Sequence, residues 1–147
     1  MKNINIVRIQ VVKEKSMRYE TNQILNPEDA VLLLQQFIID YCNNDRENFI
    51  VMCLDTKHKI NSLTLTSTGT LNASLIHPRE VFKTAILSNA AAILLCHNHP
   101  SGNCEPSNED IEITKRLQEA GKIMGIEILD HVIIGDSFLS MKQKGLI

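Results

Sequence analysis

The chain has 147 residues, a net charge of −2 and an apolar fraction of 44%. This length and composition are typical of one domain with one packed core. The charge argues against an extended basic surface for nucleic acid, and no apolar run reaches the roughly 18 residues that span a membrane. The N-terminus lacks a signal-peptide core, so we expect a cytoplasmic protein.

The N-terminal half of the chain carries strand signals on both sides of a helix signal. Apolar residues of both parities predict a strand at 4–13, and residues 1–24 are interpreted as an N-terminal strand and linker. Asn26-Pro27 is typical of a helix N-cap and first turn, and the helix ends at 43–46. The sequence then predicts a buried strand at 49–54, a polar turn at 55–59 and a strand from Ile60 to about Gly69.

The C-terminal half predicts a mixed α/β architecture. The sequence indicates a short segment at 71–76, a helix from 77 to about 89, a fully apolar strand at 91–96, a helix from 106–110 to Gly121 or Gly125, a strand at 126–135 and a last strand at 138–141. The apolar strand needs cover on both faces. The order β-α-β-β-α-β-α-β-β favours a mixed sheet with helices packed against it over a doubly wound parallel fold.

Two histidines stand where the apolar strand ends. His97 and His99 are separated by one residue, so on an extended backbone both side chains point to the same side. A loop rich in proline and glycine can return the carboxylate of Asp110 to the same point. Two histidines and one carboxylate are the three protein ligands of many catalytic zinc sites, which keep water in the fourth position. The pattern therefore predicts an open zinc site.

Ser107 has two interpretations. Its hydroxyl can donate a hydrogen bond to an oxyanion that develops beside the metal. Ser107-x-x-Asp110 is also a helix capping box, and capping is the favoured interpretation of that piece alone. An HxH pair alone is likewise a weak signal. The two pieces together, joined by this loop after an apolar strand, favour a metal site.

The spacing of these residues resembles the JAMM motif of the JAB1/MPN+ metalloproteases. The motif is His97-x-His99, seven residues, then Ser107-x-x-Asp110. The flanking sequences HPREVFK, NAAAILLCHNHPSGNCEPSNEDIEITKRLQEAG and GIEILDHVIIGD are similar to the RadC branch of that superfamily, over roughly residues 25–147. The resemblance implies a single cytidine-deaminase-like JAB/MPN domain, with three α/β/α layers around a mixed sheet. It also implies zinc held by His97, His99 and Asp110, with Ser107 assisting.

The resemblance places the catalytic glutamate near the start of the strand that follows the first helix. Glu47 occupies that place and is favoured as the general base. Glu80 is the alternative, because a helix that starts there would run back along the strand ending at His97. As purely structural residues, Glu47 would be an exposed loop acid and Glu80 a first-turn acid stabilised by the helix dipole.

The resemblance implies a zinc-dependent hydrolase, a metallopeptidase or isopeptidase that uses a metal-activated water and takes a peptide or protein substrate. The alternative is a DNA-repair or mobile-element accessory module that binds a protein or nucleic acid, with zinc in a structural role. Longer RadC relatives carry an N-terminal helix-hairpin-helix region, for which this chain has no room. This and the charge disfavour direct DNA binding. We expect no membrane association, and the N-terminal strand is a candidate for pairing with a second copy.

Several further residues have open roles. His77 and Arg79 match RadC patterns. The pair Asp130-His131 either orients the metal ligands or forms a satisfied polar pair in the core. Cys104 is either a loop residue or a thiolate at the fourth zinc position. The other cysteines lie in or beside apolar runs, which is typical of reduced structural thiols: Cys42, Cys53 and Cys96.

Overall fold

The computed structural model describes residues 1–69 and 76–147. Within these ranges the helices are α1 (Pro27–Tyr41), α2 (Pro78–Leu87) and α3 (Asn108–Met124). The strands are β1 (Glu47–Leu54), β2 (Ile60–Gly69), β3 (Ala92–Asn98), β4 (Glu127–Ile134) and β5 (Phe138–Ser140). The predicted elements from residue 26 onward are confirmed, apart from the segment at 71–76, of which residues 71–75 lie outside the described ranges. None of the helices in these ranges is both long and apolar enough to cross a membrane.

The strands form one mixed sheet in the order β2-β1-β3-β4-β5. The pair β3 and β4 is parallel, whereas the other neighbouring strands are antiparallel. One face of the sheet packs against α1, through residues such as Leu34, Met52 and Leu94. The other face packs against α2 and α3, through residues such as Phe82 and Leu117. The α/β fold with helices on both faces of a mixed sheet is that of a JAB/MPN domain, as the resemblance implies.

Strand β3 lies at the centre of the sheet, and all seven of its residues are buried. Its side chains alternate between the two helical layers, which explains why the sequence there is apolar without a polar face. Because β1 is antiparallel to β3, Phe49 lies opposite His97, and the start of β1 therefore lies beside the end of β3. The loop after β3 leads directly into α3. These three chain segments meet at one edge of the core.

The N-terminal prediction is wrong in one respect, since residues 4–13 form no strand. Their apolar side chains are exposed, for example Ile4, Ile6 and Ile9. A strand needs a neighbour for its backbone N–H and C=O groups, and no strand of the described chain pairs with this segment. The linker joins the fold near Gln23, which forms an isolated bridge with Lys59. Pairing of the segment with a second copy stays a prediction.

We expect Leu34→Ala to lower the free energy of unfolding by about 2–5 kcal/mol, because it leaves a cavity between α1 and the sheet. Leu34 is 0% exposed, whereas Leu32 on the same helix is 75% exposed. Leu32→Ala is therefore the matched control, with a change within about 0.5 kcal/mol. Urea unfolding followed by circular dichroism measures both variants. Equal losses would contradict the packing of α1 on the sheet.

Candidate metal centre

His97 and His99 lie at the end of β3 with their rings facing one another. His97 is the sixth residue of β3 and is fully buried, and His99 follows directly after the strand. Their Nε2 atoms are 2.9 Å apart. The backbone N–H of His99 donates to the carbonyl of Ile134 at 2.8 Å, so strand β4 fixes the chain where it leaves β3. The two side chains point to the same side, as the HxH spacing predicts.

Asp110 is the third residue of α3 and belongs to a complete capping box. Its Oδ2 accepts the Ser107 backbone N–H at 2.8 Å, and Ser107 Oγ accepts the Asp110 N–H at 3.1 Å. The same carboxylate faces both histidines, with Oδ1 3.4 Å from His97 Nε2 and Oδ2 3.5 Å from His99 Nε2. The capping-box interpretation of Ser107-x-x-Asp110 is therefore confirmed, and the cap holds the carboxylate in the orientation that faces both histidines.

The three side chains fit a metal ion. One ligand atom from each of His97, His99 and Asp110 lies within 4.8 Å of the other two. Ligands held about 2.0–2.1 Å from a tetrahedral zinc ion lie roughly 3.3 Å from one another. The observed separations of 2.9, 3.4 and 3.5 Å are close to this spacing. Two imidazole nitrogens and a carboxylate oxygen are also donors that divalent transition metals accept.

The electrostatics of the cluster favour a cation. Burial opposes ionisation of Asp110, but contacts with His97 and His99 outweigh it and hold the pKa of this carboxyl well below its usual range. The neighbouring Asp110 carboxylate in turn raises the pKa of His99, and the charge of Glu47 adds to this increase. A buried carboxylate stays ionised only where hydrogen bonds or nearby positive charge offset the cost of burying it.

The loop from Pro100 to Pro106 is held against the end of β4. His99 Nδ1 lies 2.6 Å from the Asn103 carbonyl, and the Asp136 N–H donates to the Gly102 carbonyl at 2.8 Å. Gly135 allows this approach, since a Cβ atom there would lie 2.3 Å from the Gly102 carbonyl oxygen. The loop therefore closes over His99 in one defined position.

The two candidate glutamates lie in different surroundings. Glu47 is half-buried at the start of β1, where its charge acts on His99. It lines a cleft of about 310 Å³ together with Asp45, Arg46, Gly69 and Pro100. Glu80 is exposed in the first turn of α2 and forms an ion pair with Lys83 at 2.9 Å. The geometry favours Glu47 over Glu80, and its role as the general base stays a prediction.

Asn98, the middle residue of the HxH motif, holds the backbone around Glu47. Its Oδ1 accepts the N–H of Asn48 at 2.8 Å, and its Nδ2 donates to the carbonyl of Arg46 at 2.8 Å. Both neighbours of Glu47 are thus fixed to the strand that carries the histidines. Sequence reasoning missed this residue. The available signal was its parity, which points its side chain away from the two histidines.

The Asp130-His131 pair divides into two separate networks. Asp130 accepts from Ser140 Oγ and from the backbone N–H groups of His131 and Lys142, which ties β4 to the C-terminal turn. His131 instead places Nε2 2.7 Å from His97 Nδ1 and Nδ1 2.6 Å from Thr114 Oγ1. Of the two residues, only His131 contacts a candidate metal ligand.

The remaining open residues lie outside the metal-ligand cluster found among the described residues. The Cys104 sulfur lies 3.8 Å from the Gly102 carbonyl oxygen and 3.7 Å from Ser137 Oγ, which favours its interpretation as a loop residue. All four cysteines are free thiols. His77 is the N-cap residue of α2 and Arg79 is exposed in its first turn.

Comparison with known proteins agrees with this geometry. The family model of the RadC-like JAB domain matches residues 24–146. The chain belongs to the RadC-like JAB domain family. A UPF0758 protein of Rubrobacter xylanophilus is 52% identical over 124 residues, which are 84% of this chain and 53% of the relative. A UPF0758 protein of Desulforamulus reducens is 51% identical over 134 residues, 90% of this chain and 58% of the relative.

A more divergent relative matches a larger share of this RadC-like JAB domain chain. A UPF0758 protein of Methanosarcina barkeri is 40% identical in an alignment of 147 positions, which covers 95% of this chain and 63% of the relative. The chain spans a little over half the length of the curated relatives that it matches. The match to the domain begins at residue 24, close to the point where the exposed N-terminal segment joins the fold.

Asp110→Asn separates the two roles of Asp110. The amide keeps an oxygen that can accept the Ser107 N–H, so we expect helix α3 to stay capped, but the buried negative charge is lost. Zinc affinity should fall by more than the roughly 10- to 100-fold typical of losing an outer partner of a ligand. Chelator competition measures the affinity. If capping were the whole role of Asp110, this variant would bind zinc as the unsubstituted chain does.

Proposed function

We propose that the chain is a zinc-dependent hydrolase of the JAMM type that cleaves a peptide or isopeptide bond. The observation that carries this proposal is the convergence of His97, His99 and Asp110 beside the charge of Glu47. Glu47 lines a cleft that is open to solvent and that also includes Pro100, the residue directly after His99. The family assignment supports the same chemistry, and the substrate class is inferred from the JAMM resemblance.

Zinc is the metal that the donor set favours. Two histidines with one carboxylate form a common set of protein ligands for catalytic zinc, and the fourth position is then left for water or substrate. When bound, zinc supplies a Lewis acid that polarises a carbonyl and gives a water molecule a pKa near neutrality. His97 and Asp110 are buried, whereas His99 is only partly buried, so the site is closed on the side of the core.

In this proposal Glu47 is the residue that moves protons. Its carboxylate takes a proton from the attacking water and passes it to the leaving amine. Asn98 supports this role, because it fixes the backbone on both sides of Glu47 relative to the histidines. Because the backbone around Glu47 is already held in place, this base loses little conformational freedom when substrate binds.

Ser107 supplies a hydrogen bond to the oxyanion. Its Oγ accepts the Asp110 N–H in the capping box, which leaves the hydroxyl proton to be donated to a second partner. A hydroxyl aimed at the oxygen on which negative charge develops stabilises the transition state more than the substrate. The capping box thus holds both a metal ligand and this donor.

We expect the purified chain to hold one zinc ion per molecule, measured by elemental analysis. His97→Ala and Asp110→Ala should each lose it, because two remaining ligands hold zinc weakly. His58→Asn is the control, since His58 lies on a turn with a positive φ of 58° that asparagine tolerates. Full zinc content in both ligand variants would overturn the assignment of the site.

Glu47→Gln should keep zinc and lose hydrolysis, because the amide cannot accept the proton. Glu80→Gln is the matched control and should keep both. A panel of fluorogenic peptides and isopeptide-linked conjugates, read with and without EDTA, measures the rates. An active Glu47→Gln with an inactive Glu80→Gln would transfer the role to Glu80, and EDTA-resistant cleavage would contradict zinc-dependent hydrolysis.

A further inference from the structure

A chain of buried hydrogen bonds leads away from His97 into the core. His131 of β4 is fully buried, and its ring packs edge-on against His97 at a centroid distance of 4.8 Å. Its Nε2 lies 2.7 Å from His97 Nδ1, and its Nδ1 lies 2.6 Å from Thr114 Oγ1. Thr114 lies one helical turn after Asp110 in α3 and is also fully buried.

The hydrogen bond farthest from His97 determines which atom donates and which accepts in each of the other bonds. Thr114 Oγ1 lies 2.6 Å from the backbone carbonyl oxygen of Asp110. A carbonyl only accepts, so the single hydroxyl proton of Thr114 is donated there. Thr114 Oγ1 must therefore accept from His131, which places a proton on His131 Nδ1.

The same reasoning continues to the candidate ligand. A second proton on His131 would bury an imidazolium beside a cation site, so His131 is neutral and its Nε2 is an acceptor. The contact of 2.7 Å with His97 then requires a proton on His97 Nδ1. His97 Nε2 is left with a lone pair that faces His99 and Asp110.

His99 has the same Nδ1–H tautomer, and a single hydrogen bond determines it. Its Nδ1 lies 2.6 Å from the carbonyl of Asn103, so this nitrogen is also the donor. The Nε2 lone pairs of the two histidines then face each other across 2.9 Å. Such an arrangement is repulsive unless a cation or a proton lies between them, which is the condition that a metal centre meets.

We propose that Thr114 and His131 are positioning residues that fix the Nδ1–H tautomer and the ring plane of His97, so that Nε2 binds zinc. The inference rests on the zinc site of the proposed function. The hydrogen bonds run from His97 through His131 and Thr114 to the Asp110 carbonyl, while the carboxylate of the same Asp110 faces the Nε2 atom of His97. One residue at the start of α3 is thus both a candidate ligand and the acceptor that sets the tautomer of another.

The test uses Thr114→Val, which keeps the side-chain shape but removes the hydroxyl. His131 Nδ1 then loses its acceptor, so the tautomer of His131, and with it that of His97, is no longer fixed. We expect zinc affinity to fall about 10- to 100-fold by chelator competition. Thr114→Ser restores the hydroxyl and should recover most of the affinity.

Nitrogen NMR of the imidazole rings in the zinc-free chain provides the second measurement. We expect protonated Nδ1 atoms on His97 and His131 and an unprotonated Nε2 on His131, with loss of this pattern in Thr114→Val. A merely structural role of Thr114 would leave the pattern unchanged. This measurement on the unsubstituted chain does not depend on whether a variant folds.

The outcomes separate the two proposals. An unprotonated His97 Nδ1 in the unsubstituted chain, or a Thr114→Val variant with unchanged zinc affinity, overturns the positioning role while the zinc site stands. An unsubstituted chain that binds no zinc overturns the proposed function. Loss of affinity in Thr114→Val, recovery in Thr114→Ser and the expected nitrogen pattern together support the inference.

Discussion

The carboxylate of Asp110 is the group on which the candidate site depends. Its Oδ1 faces His97. Its Oδ2 faces His99 and also accepts the backbone N–H of Ser107. Because this cap forms the first turn of α3, the helix cannot shift without moving the carboxylate. The helix dipole and the capping hydrogen bond favour the charged form, which offsets part of the cost of burying it. The position of α3 therefore determines where the Asp110 carboxylate lies relative to the two histidines.

The second constraint is the alternation of side chains at the end of β3. His97 points towards the layer of α2 and α3, whereas Asn98 points to the opposite side and holds the backbone of Arg46 and Asn48. Three successive residues thus couple the metal ligands to the strand that carries Glu47. A shift of this segment by one residue would exchange the two faces and break the contacts of both the histidines and Asn98, so the register of β3 is tightly specified.

The local parts of this site could be predicted from the sequence, and the long-range parts could not. The HxH parity and the capping box each depend on residues within four positions, and both are correct. The contact of His131 with His97 joins residues 34 positions apart, and no periodicity predicts which residues of β4 lie beside the end of β3. The strand prediction for the N-terminal segment failed for a related reason. A run of apolar residues indicates a strand but does not show which strand it would pair with. The resemblance favours Glu47 over Glu80, and the antiparallel pairing of β1 with β3 supports that preference because it brings the start of β1 beside the end of β3.

The site therefore consists of a rigid part and an accessible part with different physical requirements. His97, Thr114 and His131 are fully buried between central strands and α3, where each polar atom must find a partner, so this part tolerates little change. Glu47 lies at the end of a strand beside an open cleft, where the exposed side chains of Asp45 and Arg46 can change without leaving buried groups unpaired. In the proposed function, the core therefore holds the candidate metal ligands, and the rim around Glu47 is the part that meets the substrate.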